Sequence, residues 1–227
     1  HWENYSRAWK AGHFSIYFIN SIFIATVTVV CVIALALLAA YALSYINFKG
    51  KALWETLVIV GLLIPFDLIM IPLFYNMKTL GINNSHWAVI FPQIALNIPF
   101  AIFLMRGFMK GIPYTLLEAA RIDGASWGQI FFKITIPLLV PVMYFTTAMT
   151  IIGGMQSFDE ANVMIGVDGM PGNLYYALTT AVYTYAFAFK WGQFGMASAT
   201  SYLLCLIILV MSFIHRFFFK DRDERTV

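Results

Sequence analysis

Long apolar runs alternate with short polar breaks along this chain. Apolar residues dominate from about Ile16 to Ile46, Leu53 to Tyr75, Trp87 to Met105, Leu138 to Phe158 and Phe194 to Phe218. About 20 helical residues cross a bilayer core, so the pattern predicts five membrane spans and an all-α fold. The first run carries alanines four apart between Ala34 and Ala42, a small-residue face for close helix packing. The second contains Pro65, Asp67 and Pro72. Each proline removes a helical hydrogen bond, which predicts a break or kink there. The third holds Pro92, Gln93, Asn97 and Pro99. Before the first run, Trp2, Tyr5 and Trp9 alternate with Glu3, Arg7 and Lys10, a mixture suited to the membrane interface. It lacks the pattern of a cleavable signal peptide.

Two stretches interrupt this rhythm. From Asp159 to Gly195 the chain is mixed: Gly166, Gly169, Pro171 and Gly172 precede an aromatic section from Tyr175 to Phe189. This reads as an external loop followed by an interfacial or partly inserted helix. The other stretch is a polar island, Glu118 to Pro137, between the third and fourth runs. Pro113 suits the first turn of a helix, where its missing N–H costs nothing. Leu116, Leu117 and Ala120 then share one side at helical spacing. Asp123-Gly124 is a turn signal, and Ser126 with Gln129 three residues on forms a capping-box pattern. The island therefore predicts helix–turn–helix, its small residues Ala119, Ala120 and Gly124 allowing another protein close to the backbone.

Composition sharpens the class. Of 227 residues, 61% are hydrophobic and 11% charged, with a mean hydropathy of +0.78. Soluble domains carry about a quarter charged residues, so this is a multi-span membrane protein in contact with the lipid bilayer. The net charge of +3 gives no reason to expect a nucleic-acid partner. Cys31 and Cys205 lie inside apolar runs, which implies no disulfide framework. His1, His13, His86 and His215 are scattered, so no metal site is expected. The chain has no phosphate-cradling loop, no H-E-x-x-H and no G-x-S-x-G, so neither a catalytic site nor a cofactor site is expected.

The cations orient the spans. On the island's side lie Lys49, Lys51, Arg106, Lys110, Arg121, Lys133, Arg216, Lys220, Arg222 and Arg225; the other side has Arg7, Lys10, Lys78 and Lys190. The positive-inside rule places the island and the C-terminus in the cytoplasm. Five spans then put the N-terminus outside, a parity that suggests a further span preceding His1.

Polar groups within apolar runs are costly in lipid and face a cavity or a partner. Asp67, Gln93, Asn97, Gln156 and Asp159 are candidates to line a pathway. The amides serve equally as helix–helix hydrogen-bonding groups, and Asp159 with Glu160 also reads as an outer membrane edge. Tyr175, Tyr176, Tyr183, Tyr185, Phe187, Phe189 and Trp191 form either an interfacial belt or a set of stacking platforms for sugar rings.

The island also carries a family resemblance. Glu118-Ala119-Ala120, Gly124 after three residues, Ile134 after nine more and Pro137 closing on Ile136 resemble the EAA signature (E-A-A-x3-G-x9-I-x-L-P) of permease subunits of ATP-binding-cassette (ABC) importers. Ile136 stands where Leu is usual. Glu3-Asn4-Tyr5, Phe18-Ile19-Asn20-Ser21, Ala40-Tyr41-Ala42-Leu43, Pro65 and Ile71-Pro72-Leu73 extend the likeness to carbohydrate importers of the maltose type over nearly the whole chain. The front half resembles the second permease type. Pro171-Gly172-Asn173, Tyr183 and Gly195-Met196-Ala197-Ser198-Ala199 are more similar to the first.

The resemblance implies one transmembrane domain over residues 1–227, with a cytoplasmic coupling loop at 113–137. Glu118, Ala119, Ala120, Arg121, Asp123, Gly124, Ile134 and Pro137 would be its ATPase-coupling residues. It implies import of a sugar or oligosaccharide across a bacterial cytoplasmic membrane. The implied partners are a second similar permease subunit, two cytoplasmic ABC ATPase subunits that hold the ATP chemistry, and an extracytoplasmic solute-binding protein. A non-sugar solute such as a glycerophosphodiester is the alternative. A secondary transporter would show inverted repeats with paired broken helices, and the chain shows no internal repeat at matching positions.

Overall fold

The computed structural model describes residues 2–10, 14–83, 85–165 and 179–223, and every regular element among them is helical. Tyr175, Tyr176 and the glycine- and proline-bearing stretch from Gly166 to Asn173 lie outside the described residues.

The molecule is built along α2 (Phe14–Tyr45), whose 32 residues span roughly 48 Å at 1.5 Å each, more than a bilayer core. Two helices pack along it, α5 (Trp87–Gly111) and α9 (Val140–Met155). Toward the C-terminal end of α2, the fully buried Ala36 and Ala40 provide the expected small-residue face. Val32, Leu37 and Leu43 meet Ala101, Ile102, Met105 and Met109 of α5 there, together with Leu139 and Val142. At the other end of α2, Tyr17 and Ile24 pack with Val89 and Ile90, and with Tyr183, Phe187 and Ala197 from the C-terminal helices.

The second expected span is broken outright. α3 (Lys51–Leu63) and α4 (Phe66–Thr79) meet at Pro65 with a bend of 101°. Proline forces the preceding residue out of the helical region, and Ile64 is extended, with φ −81 and ψ 110. Gly61 lets α3 touch α5, since a Cβ there would come within 2.8 Å of the Pro99 ring. Pro72, Pro92 and Pro99 sit inside helices that continue past them.

The island enters the fourth span through α6 (Tyr114–Ile122), α7 (Trp127–Ile130), a π-helical turn at Phe131–Thr135 and α8 (Ile136–Leu138). α9 then leaves at 70°. Pro137 supplies a reason for the π turn: it has no N–H for the Lys133 carbonyl, and the Ile136 N–H reaches back to the Phe131 carbonyl instead.

α10 (Asp159–Ile165) follows where a loop was expected. α11 (Thr180–Tyr185) runs through a second π turn, Ala186–Lys190, into α12 (Phe194–Asp223). α1 (Glu3–Lys10) lies against α12 and α2, with Ala8 fully buried and the Asn4 amide seated where a side chain at Gly195 would go. By length and composition, α2, α5 and α12 can each cross a membrane, and the count reaches five if each bent pair is one span.

Candidate functional site

Helix α6 ends as its sequence dictates. The Gly124 N–H bonds the Arg121 carbonyl at 3.0 Å and the Ala125 N–H bonds the Ala120 carbonyl at 2.9 Å. This pair is the Schellman closure, which needs a left-handed residue in between, and Gly124 has φ +84. Ser126 then starts α7 with a complete capping box: its N–H donates to Gln129 Oε1 at 2.8 Å, and the Gln129 N–H donates to Ser126 Oγ at 3.3 Å. The expected helix–turn–helix is present, and its two halves are also clamped by a side-chain contact. The Arg121 guanidinium carbon lies 4.1 Å from the centre of the Trp127 ring.

The face this creates is open. Glu118, Ala119, Arg121, Asp123 and Gly124 are exposed, and Ala120 and Ile134 are half-buried. Ile122 is 86% exposed on a segment that belongs to no span, and a Cβ on Gly124 would meet nothing within 4 Å. Asp123, Gly124, Ala125, Gln129, Lys133 and Ile134 line a hollow of about 410 Å³. Inward, Leu117, Ile130 and Thr135 are buried, and Phe131 meets the Tyr41 ring of α2 edge-on at 5.0 Å. Pro137, half-buried, fixes the joint with α9. The island is a preformed knuckle, joined to the cluster between α2, α5 and α9 through Phe131, Ile136 and the π turn.

The candidate pathway residues divide. Gln93 is buried, and its Oε1 accepts a 3.3 Å bond from Thr28 Oγ1 on α2. Gly154 of α9 packs against Ala25 of α2 beside the same amide oxygen. The half-buried Asn97 donates its amide to the Gln93 carbonyl at 2.8 Å. These two amides join helices and backbone. Asp67 is exposed in the first turn of α4, beside the break, and Asp159 is exposed at the start of α10. Gln156, at the end of α9, lines an open cavity of about 860 Å³ against α11 and α12. Thr184, Ser198 and Ser201 place hydroxyls there, among the rings of Tyr185, Phe189 and Tyr202.

The aromatic set splits in the same way. Tyr183 and Phe187 are buried, with Tyr183 4.4 Å from the Tyr17 ring and 4.5 Å from Phe187. Tyr185 and Phe189 stand in the cavity, and Trp191 is exposed. Helical spacing separates the two groups, since Tyr185 and Phe189 are four residues apart and so are Tyr183 and Phe187.

Sequence reasoning missed three features. Glu55 forms an ion pair with Arg106 across α3 and α5; apolar residues on both sides of Glu55 were the available signal. Thr28, partner of Gln93, gave none. The Arg121–Trp127 contact spans a turn, where helical periodicity does not apply.

Comparison with known proteins agrees with this architecture. Residues 32–223 match the family described as "Binding-protein-dependent transport system inner membrane component". The probable ABC transporter permease protein YurM of Bacillus subtilis is 35% identical over 165 residues, 73% of this chain and 55% of that protein. The arabinooligosaccharides transport system permease protein AraQ of Halalkalibacterium halodurans is 39% identical over 151 residues, 66% of this chain and 52% of that protein. The chain thus spans about half the length of these relatives. A bacterial ABC transporter involved in the import of the acidic polysaccharide alginate has a chain with the same fold, at a TM-score of 0.77 and 15% identity, covering 96% of this chain and 83% of that one. The inward-facing MetNI methionine ABC transporter gives a TM-score of 0.71 at 18% identity, covering 89% and 93%. Matched over residues 32–223, the chain belongs to the family of inner membrane components of binding-protein-dependent transport systems.

Proposed function

We propose that this chain is a permease subunit that passes a sugar or oligosaccharide through the cytoplasmic membrane, each bent helix pair counting as one of five spans. A second similar permease chain completes the pathway. Two cytoplasmic ATPase subunits hydrolyse ATP, and each receives one island as its coupling helix. An external binding protein delivers the solute. The observation that carries this reading is the knuckle itself: a motif-bearing, capped and exposed helix–turn–helix whose first helix lies outside every span and whose second leads into α9 by a bent connection. Movement of the ATPases tilts the knuckle, and the half-buried Phe131–Tyr41 contact transmits that tilt to α2.

The solute class rests on two supports. Relatives are named for arabinooligosaccharides, diacetylchitobiose and trehalose. The cavity at Gln156 offers hydroxyl and amide groups among aromatic ring faces, the combination that suits polyol edges and apolar sugar faces. Among the described residues lining it there is none of the Lys or Arg that a phosphate-bearing solute would favour.

The test uses the assembled transporter in membrane vesicles with its ATPase and binding protein. Gly124→Val forces a β-branched residue to φ +84 and puts a side chain on the docking face. Uptake and binding-protein-stimulated ATP hydrolysis are expected to collapse while the chain still inserts and assembles. Wild-type uptake by Gly124→Val overturns the coupling role. Uptake of a glycerophosphodiester but of no oligosaccharide overturns the solute class and leaves the permease reading standing.

A further inference from the structure

A second groove, about 670 Å³, runs between α3 and α5 toward the island's end of the bundle. Its walls are apolar, from Val58 and Ile59 on α3 and from Ile102 and Phe103 on α5. Three charged residues line it: Glu55, Arg106 and Lys110. Glu55 and Arg106 form an ion pair, with side chains 28% and 21% exposed, while Arg106 Nε is buried with no hydrogen-bond partner. Lys110 is exposed in the last turn of α5. Gly107 and Gly111 keep the space clear, as a Cβ on either would meet nothing within 4 Å. The groove therefore combines an apolar wall with a net positive rim at the end of a span.

We propose that this groove binds an anionic glycerophospholipid of the surrounding bilayer. An acyl chain lies along the apolar wall, and the phosphate is held by Lys110 and Arg106. Charge complementarity selects the occupant. One carboxylate against two cations leaves a positive charge that a zwitterionic headgroup does not neutralise, and basic pockets between spans are where anionic headgroups settle. The ion pair holds the Arg106 side chain at the groove wall, and a headgroup with free hydroxyls donates to Glu55, which accepts them as a carboxylate.

The experiment is native mass spectrometry of the intact transporter, purified from mixed phosphatidylglycerol and phosphatidylethanolamine bilayers. The wild type is expected to retain phosphatidylglycerol in preference to phosphatidylethanolamine. Lys110→Gln is expected to reduce that preference about fivefold, the contribution of one basic residue near an anionic surface. Gly107→Leu, whose Cβ would meet nothing within 4 Å and whose side chain would fill the groove, is expected to abolish retention of both lipids there. Equal retention of phosphatidylglycerol by wild type and both variants overturns the proposal. So does efficient crosslinking of Gly107→Cys to another protein chain of the transporter, which would make the groove a protein interface.

Discussion

Arg121 lies over the Trp127 ring at 4.1 Å, across the left-handed turn at Gly124. The backbone closure and capping box define each helix separately, and this contact sets the angle between them. An exposed cation–π pair contributes about 0.5–1 kcal/mol, too little to decide folding of the chain but enough to bias the orientation of two short helices. Trp127→Ala is expected to leave insertion and assembly intact while weakening the stimulation of ATP hydrolysis by loaded binding protein. Trp127→Phe, which keeps a ring under the guanidinium, is expected to restore most of it. Equal loss in both variants would show that the indole contacts the ATPase directly.

The proposed cytoplasmic placement of the island is testable by labelling. In a chain lacking Cys31 and Cys205, single cysteines at Lys49 and Ser126 should resist an impermeant thiol reagent applied outside intact cells. One at Lys78, exposed near the end of α4, should react. External labelling at position 126 would invert the topology and remove the ATPase from the island.

The Thr28–Gln93 bond ties α2 to α5 beside the α9 contact at Gly154. Interhelical bonds of this kind average about 0.6 kcal/mol in membranes. A double-mutant cycle of Thr28→Val and Gln93→Leu should give a coupling of that size in thermal or denaturant unfolding, with modest change in uptake. If Gln93→Leu abolishes uptake at unchanged stability, Gln93 touches the solute.

His86, at the start of α5, donates a 3.0 Å bond from Nε2–H to Asn20 Oδ1, and burial pushes its pKa below the usual histidine value. A histidine held neutral when folded takes up its proton more readily when unfolded. Its contribution is therefore fully present above about pH 6.5, the unperturbed value, and is lost as pH falls from there through the folded pKa. Thermal stability should decline below about pH 6.5, and His86→Gln should flatten that decline. An unchanged slope in the variant would assign the effect to another group.

Much of the fold is legible in the sequence because lipid restricts backbone choices so strongly. The apolar runs locate the helices, and Ala36 and Ala40 mark the packing face that the structure buries. The island is legible for a different reason, its capping and turn chemistry being local: Ser126 and Gln129, or Asp123 and Gly124, act within five residues. What the sequence obscures is angle and partnership. Pro65 produces a 101° break while Pro99 leaves α5 continuous. The difference is tertiary, because the Pro99 ring is packed against Gly61 whereas the turn at Pro65 lies exposed. Gln93 and Gln156 are both amides in apolar runs, yet one faces a neighbouring helix and the other an open cavity. Periodicity cannot separate them without knowing where α12 lies.

The π turn at Phe131–Thr135 sets a phase relation. It holds one residue more per turn than an α-helix, and each residue of α-helix advances a side chain by about 100° around the axis. The island's outward face and the inward face of α9 are thus indexed to each other by a single inserted position. Losing one residue between Phe131 and Thr135 would remove the inserted position and rotate Ile122 and Gly124 by roughly a quarter turn relative to α9. In this segment the number of residues constrains the chain more tightly than their identity, so substitutions such as Phe132 to another apolar residue are permitted where deletions are not.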